Sequence, residues 1–169
     1  MPPRADPAAW SLATRREALA YADALHSLAR YLTGADSDAD DLVQETYARA
    51  FAAEGRFEAG NLKAWLFRIL RNTFIDGYRR RRQAPLEALP EAEEPAPAPP
   101  ARVARRDIEA AMMALPEESR TAVLLDLEGL TESESAAVLG CAVGTVKSRL
   151  SRARGLLRRL LADYQEDHR

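Results

Sequence analysis

The chain has 169 residues, 47% of them apolar and 30% charged, with a formal net charge of −2. Such a composition predicts a soluble globular protein of one ordinary domain or two small ones. The single cysteine, Cys141, excludes an internal disulfide, and His26 and His168 lie too far apart to suggest a metal-ligand cluster, so neither metal nor cofactor is expected.

The opening MPPRADPAAW lacks the apolar core of a secretory leader, and nothing functional is assigned to residues 1–14. The first predicted helix covers 18–32, with Leu19, Ala22, Leu25, Leu28, Ala29 and Leu32 at three- and four-residue steps, closed by Thr33-Gly34. The second starts at Ser37, with Asp40 three residues on as a capping box, and runs to Gly55 with Leu42, Val43, Tyr47, Ala50 and Phe51 inward. Its acids do not make a calcium loop: counted from Asp36, Asp41 stands where glycine is needed and Tyr47 where the chelating glutamate belongs. A third helix follows the N-cap Asn61, with Leu62, Trp65, Leu66, Ile69, Leu70, Phe74 and Tyr78 at helical spacing, and ends before Pro85.

Residues 83–101 hold six prolines and four glutamates and almost no large apolar side chain, which is the composition of a flexible acidic linker. The expected organisation is a helical domain over 1–82, a linker over 83–104 and a second helical domain over 105–169. Charge follows the same division: net +2 over 1–82, −4 over 83–101 and 0 over 102–169. Within each outer block the basic residues gather toward the C-terminal end, which suggests two contacts with one polyanion.

In the second block a short helix at 107–115 stops at Pro116, and 117–127 forms another with Val123, Leu124 and Leu127 apolar. Thr131 and Glu134 predict a capping box, Gly140 a left-handed helix end, and a further helix starts within 143–145. Ala136, Gly140 and Val146 have the spacing of a helix-turn-helix. On its second helix Val146, Leu150, Ala153, Leu157 and Leu160 follow one face, while 143–159 carries six Lys/Arg and no acid. Arginine and lysine there neutralise phosphates or reach base edges, and serines let the helix sit deep in a groove. In the first block aromatics (Trp65, Phe67, Phe74, Tyr78) interleave Arg68, Arg71 and Arg79–Arg82; that mixture suits single-stranded DNA, although rings at helical spacing equally build a core.

The segments DADDLVQETYARAF (38–51), NLKAWLFRILRNTFIDGYRRRR (61–82) and ALPEESRTAVLLDLEGLTESESAAVLGCAVGTVKSRLSRAR (114–154), in that order, resemble bacterial extracytoplasmic-function sigma factors. The resemblance implies an all-α protein of two domains, the family's regions two and four. It implies core RNA polymerase as partner, the β′ clamp docking at Asp40, Asp41, Gln44, Glu45 and Arg49 and the β flap on the second domain. It implies that Arg56, Phe57, Asn61, Lys63, Trp65, Arg68 and Asn72 read a −10 base flipped out of the stack, with Arg79 and Arg80 on phosphates; Trp65 fits the core as well as the pocket. It implies that Lys147, Ser148, Arg149, Ser151, Arg152 and Arg154 face the −35 duplex, that the linker runs toward the RNA exit path, and that an anti-sigma factor restrains the chain. Two departures stand out: Ser135 where the family has an apolar residue, and Ala142 where it often has proline.

No nucleophile elbow, P-loop or His-centred arrangement is present, so no enzymatic activity is expected. An autonomous helix-turn-helix regulator remains the alternative; it needs a dimerising element, which the sequence does not offer, and leaves DLVQE unexplained. The free chain is expected to be a cytoplasmic monomer without membrane insertion. The acidic linker is expected to keep it off DNA.

Overall fold

A computed structural model describes residues 10–57, 60–83 and 100–162, without the side chains at 78, 79, 82, 83 and 100–104. Every regular element in that range is helical: α1 Leu12–Ala20, α2 Ala22–Thr33, α3 Asp36–Ala52, a 3-10 turn Glu54–Arg56, α4 Leu62–Gln83, α5 Pro100–Met113, α6 Glu117–Leu127, α7 Glu132–Leu139 and α8 Val143–Leu160.

Local signals set many of these boundaries. Asn61 Oδ1 accepts from the Ala64 N–H at 3.1 Å and starts α4. Thr131 and Glu134 form the reciprocal capping box of α7, and Gly140 closes that helix at φ 63. Gly34 closes α2 at φ 81. Ala142 begins α8 with φ −70, the value a proline would impose, so this departure keeps the turn geometry.

Elsewhere tertiary contacts override the pattern. The helix predicted over 18–32 is two helices hinged at Tyr21, whose φ and ψ are −88° and 8°. Leu19 therefore falls on α1 and is 52% exposed instead of joining the α2 stripe. Ser37 caps nothing: Ala35 takes the extended N-cap conformation and α3 starts one residue before Ser37. Asp36, held by Arg30 at 2.6 Å, and Asp38 place their charges at the positive end of the helix instead. Helix α4 takes in Gln83, and α5 starts at Pro100, seven residues before the predicted Asp107, so both helices enter the span read as linker. Proline fits a first helical turn, where its missing N–H is no loss. Most of the linker, 84–99, lies outside the described residues. Leu127, read with Val123 and Leu124 as the apolar set of its helix, is 74% exposed, and Leu160 is 45% exposed.

Helices α2, α3 and α4 pack around Leu25, Leu28, Ala29, Leu42, Ala50, Leu66, Phe67 and Leu70. Phe67 is the largest fully buried side chain, so it is a core ring, worth about 1.5–3 kcal/mol of burial, and not a stacking platform. Helices α6, α7 and α8 pack around Leu125, Val138, Leu139, Val146 and Leu150, with Ser135 buried among them. The halves are not separate: α4 lies against α7 and α2 against α6, and the buried apolar residues form one continuous cluster. Arg120 on α6 secures this arrangement. It donates to the carbonyls of Met112, Met113 and Leu115 at the end of α5, and to Tyr31 O on α2 at 3.1 Å.

Candidate nucleic-acid interface

Helix α8 presents its outer face through an i, i+4, i+7, i+11 row of Lys147, Ser151, Arg154 and Arg158, all exposed. Ser148 and Arg152 flank the row, also exposed, with Arg152 Nε donating to Ser148 O at 3.2 Å. Two acids of the same half lean on it: Glu132 lies 3.4 Å from Lys147, and Asp126 3.0 Å from Arg154. Such exposed pairs are worth about 1 kcal/mol at most and yield readily to a phosphate. Arg149 is the member of the predicted set that does not join this face. Only 21% exposed, it donates to Glu118 at 3.0 Å and lies 3.6 Å from Cys141 Sγ. Arg158 was missed, although its step of four from Arg154 was legible.

In the first half, Trp65, Arg68 and Asn72 share a face of α4 at i, i+3, i+7, with Arg68 and Asn72 exposed. Phe57 joins them from the end of the 3-10 turn, its ring centroid 5.4 Å from that of Trp65. Trp65 is half-buried, so it is a wall as well as a surface. Arg56 is exposed beside this group. Arg80 is exposed near the end of α4, its Nε 3.4 Å from Asp76 O, and the Arg79 side chain lies outside the described residues.

Asn61 and Lys63 point the other way, onto the second half. Asn61 Nδ2 donates to Glu134 Oε1 at 2.8 Å. Lys63 Nζ, 20% exposed, lies 2.7 Å from Glu128 Oε2, donates to Glu128 O at 2.8 Å and sits over the Tyr21 ring. Arg71 likewise reaches Glu118 Oε1 at 2.9 Å, so one carboxylate holds a cation from each half. None of Glu118, Glu128 or Glu134 was singled out for this role; partners 47 to 73 residues apart leave no periodic trace.

This geometry also acts on the acidity of Glu134. The Thr131 N–H, and then the Asn61 amide, hold its carboxyl below the ordinary 4.5. A folded value below the unfolded one means the stabilisation is complete above about 4.5 and is lost as pH falls below it. Acid unfolding below that value is therefore expected to be shallower in Glu134→Gln than in the native chain. Chemical denaturation at pH 6 and at pH 3.5 checks this, and equal losses in both proteins contradict it.

On α3, Asp41, Gln44 and Glu45 are exposed on the side away from Ala39, Leu42, Thr46 and Ala50. Asp40 is exposed as well and pairs with His26 at 3.1 Å. Arg49 bridges Glu45 at 2.8 Å and Asp76 at 3.0 Å, both of which favour its charged form. The five residues read as a docking face thus form one polar strip whose substitution leaves the core intact.

Among the described residues no helix is long and apolar enough to cross a membrane, and no group of three or more His, Cys, Asp or Glu could hold a metal.

Comparison with known families gives two matches: Sigma-70 region 2 over residues 18–84 and Sigma-70, region 4 over residues 105–157. The chain is 42% identical over 156 residues to the ECF RNA polymerase sigma factor SigE of Mycolicibacterium smegmatis, spanning 87% of this chain and 61% of that protein. It is also 42% identical over 159 residues to EcfG of Rhodopseudomonas palustris, spanning 90% and 88%. Among solved structures it resembles the sigma factor RpoE in complex with the anti-sigma factor NepR from Bartonella quintana, with TM-score 0.71 and 34% identity over 90% of this chain and 98% of that one. It also resembles CnrH in complex with the cytosolic domain of CnrY, with TM-score 0.66 and 30% identity over 89% and 88%.

Proposed function

The chain belongs to the extracytoplasmic-function sigma factors of the sigma-70 family, and from that premise we propose that it joins core RNA polymerase and directs it to promoters by a two-point reading. Helix α8 takes the −35 element as duplex, and the Phe57, Trp65, Arg68 and Asn72 group takes an unstacked −10 base. Polymerase does the chemistry, and this chain contributes recognition. The observation that carries the reading is the exposed α8 row on the second helix of a helix-turn-helix, in one chain with a region 2 match. An autonomous operator-binding regulator accounts for the second half alone.

The polar strip on α3, from Asp40 to Arg49, docks on the polymerase clamp, and the second half meets the flap. The free chain is monomeric and works in the cytoplasm, where polymerase is. One structural neighbour was solved with the anti-sigma factor NepR and another with the cytosolic domain of CnrY, which supports a similar restraining partner here.

Run-off transcription with purified chain and core polymerase tests the proposal; no initiation at any promoter of the host genome would sink it. Within that assay the double variant Arg154→Ala, Arg158→Ala is expected to lower initiation at −35-dependent promoters about tenfold and to reduce the salt slope of duplex binding by about 2. An unchanged salt slope contradicts the assignment of this row to phosphates.

A further inference from the structure

The −10 group rests on an element to which sequence reading gave no role. Phe57 leaves a three-residue 3-10 turn and has no helix of its own to fix it. Its position is set by neighbours, and two of these come from the start of the chain. Trp10 contacts the Phe57 ring at 5.9 Å, the Trp65 ring at 5.5 Å and the Phe51 ring at 5.9 Å, in each case with the ring planes steeply inclined. Five residues on, Arg15 Nη2 grips both carboxylate oxygens of Glu54, at 2.9 and 3.1 Å, in the turn that delivers Phe57. Tyr47 OH anchors the same segment by donating to Ala18 O at 2.8 Å.

We propose that the amino-terminal segment from Trp10 to Arg15 positions the −10 reader, Trp10 forming the rear wall of the pocket that takes the extruded base. The inference rests on the −10 reading proposed above and adds residues to it. Three features single out this wall from ordinary core packing. Trp10 touches both rings assigned to the base, so its removal frees Phe57 and Trp65 together. The pairs among Trp10, Phe57 and Trp65 are all inclined, so no face-to-face stack of the kind an entering base would make is formed among these three rings. The indole Nε1 of Trp10 is the one buried side-chain nitrogen or oxygen without a hydrogen-bond partner among the described residues. An unpaired buried donor is costly, and an acceptor on an entering base would relieve it.

Arg15 is a positioning residue that acts through Glu54 on the turn delivering Phe57, whereas Trp10 both places Phe57 and Trp65 and lines the pocket itself. Recognition of an extruded base depends on that placement, because the cost of extrusion is offset only by stacking and edge hydrogen bonds made in register. The test compares initiation by reconstituted holoenzyme on a promoter with its preferred −10 base and on promoters carrying each other base there. The ratio of the two is the discrimination. For Trp10→Ala and Arg15→Ala it is expected to fall about tenfold, since displacing a reading group by about 1 Å suffices for effects of this size. Co-purification with core polymerase should stay unchanged.

Arg15 is half exposed, so Arg15→Ala keeps the fold even if Trp10→Ala melts early; thermal unfolding of both variants is recorded alongside. Phe57→Ala is the control for the underlying reading. If Phe57→Ala loses discrimination while Trp10→Ala and Arg15→Ala lower initiation equally on all promoters, the segment is mere packing and the inference fails. If Phe57→Ala also leaves discrimination intact, the −10 assignment itself is wrong.

Discussion

Changing Asp41 and Gln44 together to lysine is expected to abolish co-purification of the chain with core RNA polymerase, a loss of about a hundredfold or more in affinity. Both side chains are exposed on α3, and the buried residues of that helix are Ala39, Leu42, Thr46 and Ala50, so the substitution leaves the fold standing. The change replaces an acidic and polar strip with two cations beside Arg49, which already satisfies Glu45 and Asp76. A surface matched to this strip then meets like charge, a penalty of several kcal/mol in an interface. The measurement is pull-down or analytical sedimentation with core enzyme, with thermal unfolding as a check on folding. Undiminished assembly would remove the clamp assignment and leave the −35 reading untouched.

What the sequence made legible depended on the range of the interaction. Asn61, the Thr131 and Glu134 box and Gly140 act within one turn of their own helix, so composition at a few positions decides them. The hinge at Tyr21 has no glycine or proline to announce it; the flanking segments are set by distant partners, Tyr47 on Ala18 and Glu54 on Arg15. Pro100 did carry a signal, since proline is at home in a first turn, but a Pro-rich composition outweighed it. The inward turn of Arg149 was available too. It lies three residues after Val146 and four before Ala153, both buried, so its spacing puts it with the packed side of α8 and not with the groove face. Arg71 with Glu118, and Lys63 with Glu128, were beyond reach because no local pattern relates residues 47 and 65 positions apart. The candidate site was thus visible as two basic surfaces, while the engagement of the two halves with each other was not.

That engagement sets the second large effect: the double variant Glu118→Lys, Glu128→Lys is expected to separate the two halves of the free chain. Arg71 to Glu118 and Lys63 to Glu128 are the ion pairs that cross between α4 and the second half, and each is partly screened from solvent. A partly exposed pair contributes about 1 kcal/mol, and reversal replaces attraction with repulsion of similar size, so the two together shift the balance by about 3–4 kcal/mol toward opening. On that scale the ratio of closed to open chain falls by roughly a few hundredfold. Energy transfer between labels on α3 and α8 reads the separation, and raising salt in the native chain should move it in the same direction. Opening frees Lys63, Asn61 and Arg71 from their acidic partners, so affinity of the free chain for promoter DNA should rise with it. Added positive charge alone also raises DNA affinity, and the exposed pair Asp107→Lys, Glu117→Lys, with the same charge change, corrects for it. Neutralising Glu87, Glu91, Glu93 and Glu94 should then leave DNA affinity where it was, because the acids that hold Arg71, Lys63 and Asn61 belong to α6, α7 and the turn between them. The opposite outcome, with the linker variant binding DNA and the Glu118 and Glu128 variant remaining closed, would return the masking role to the linker.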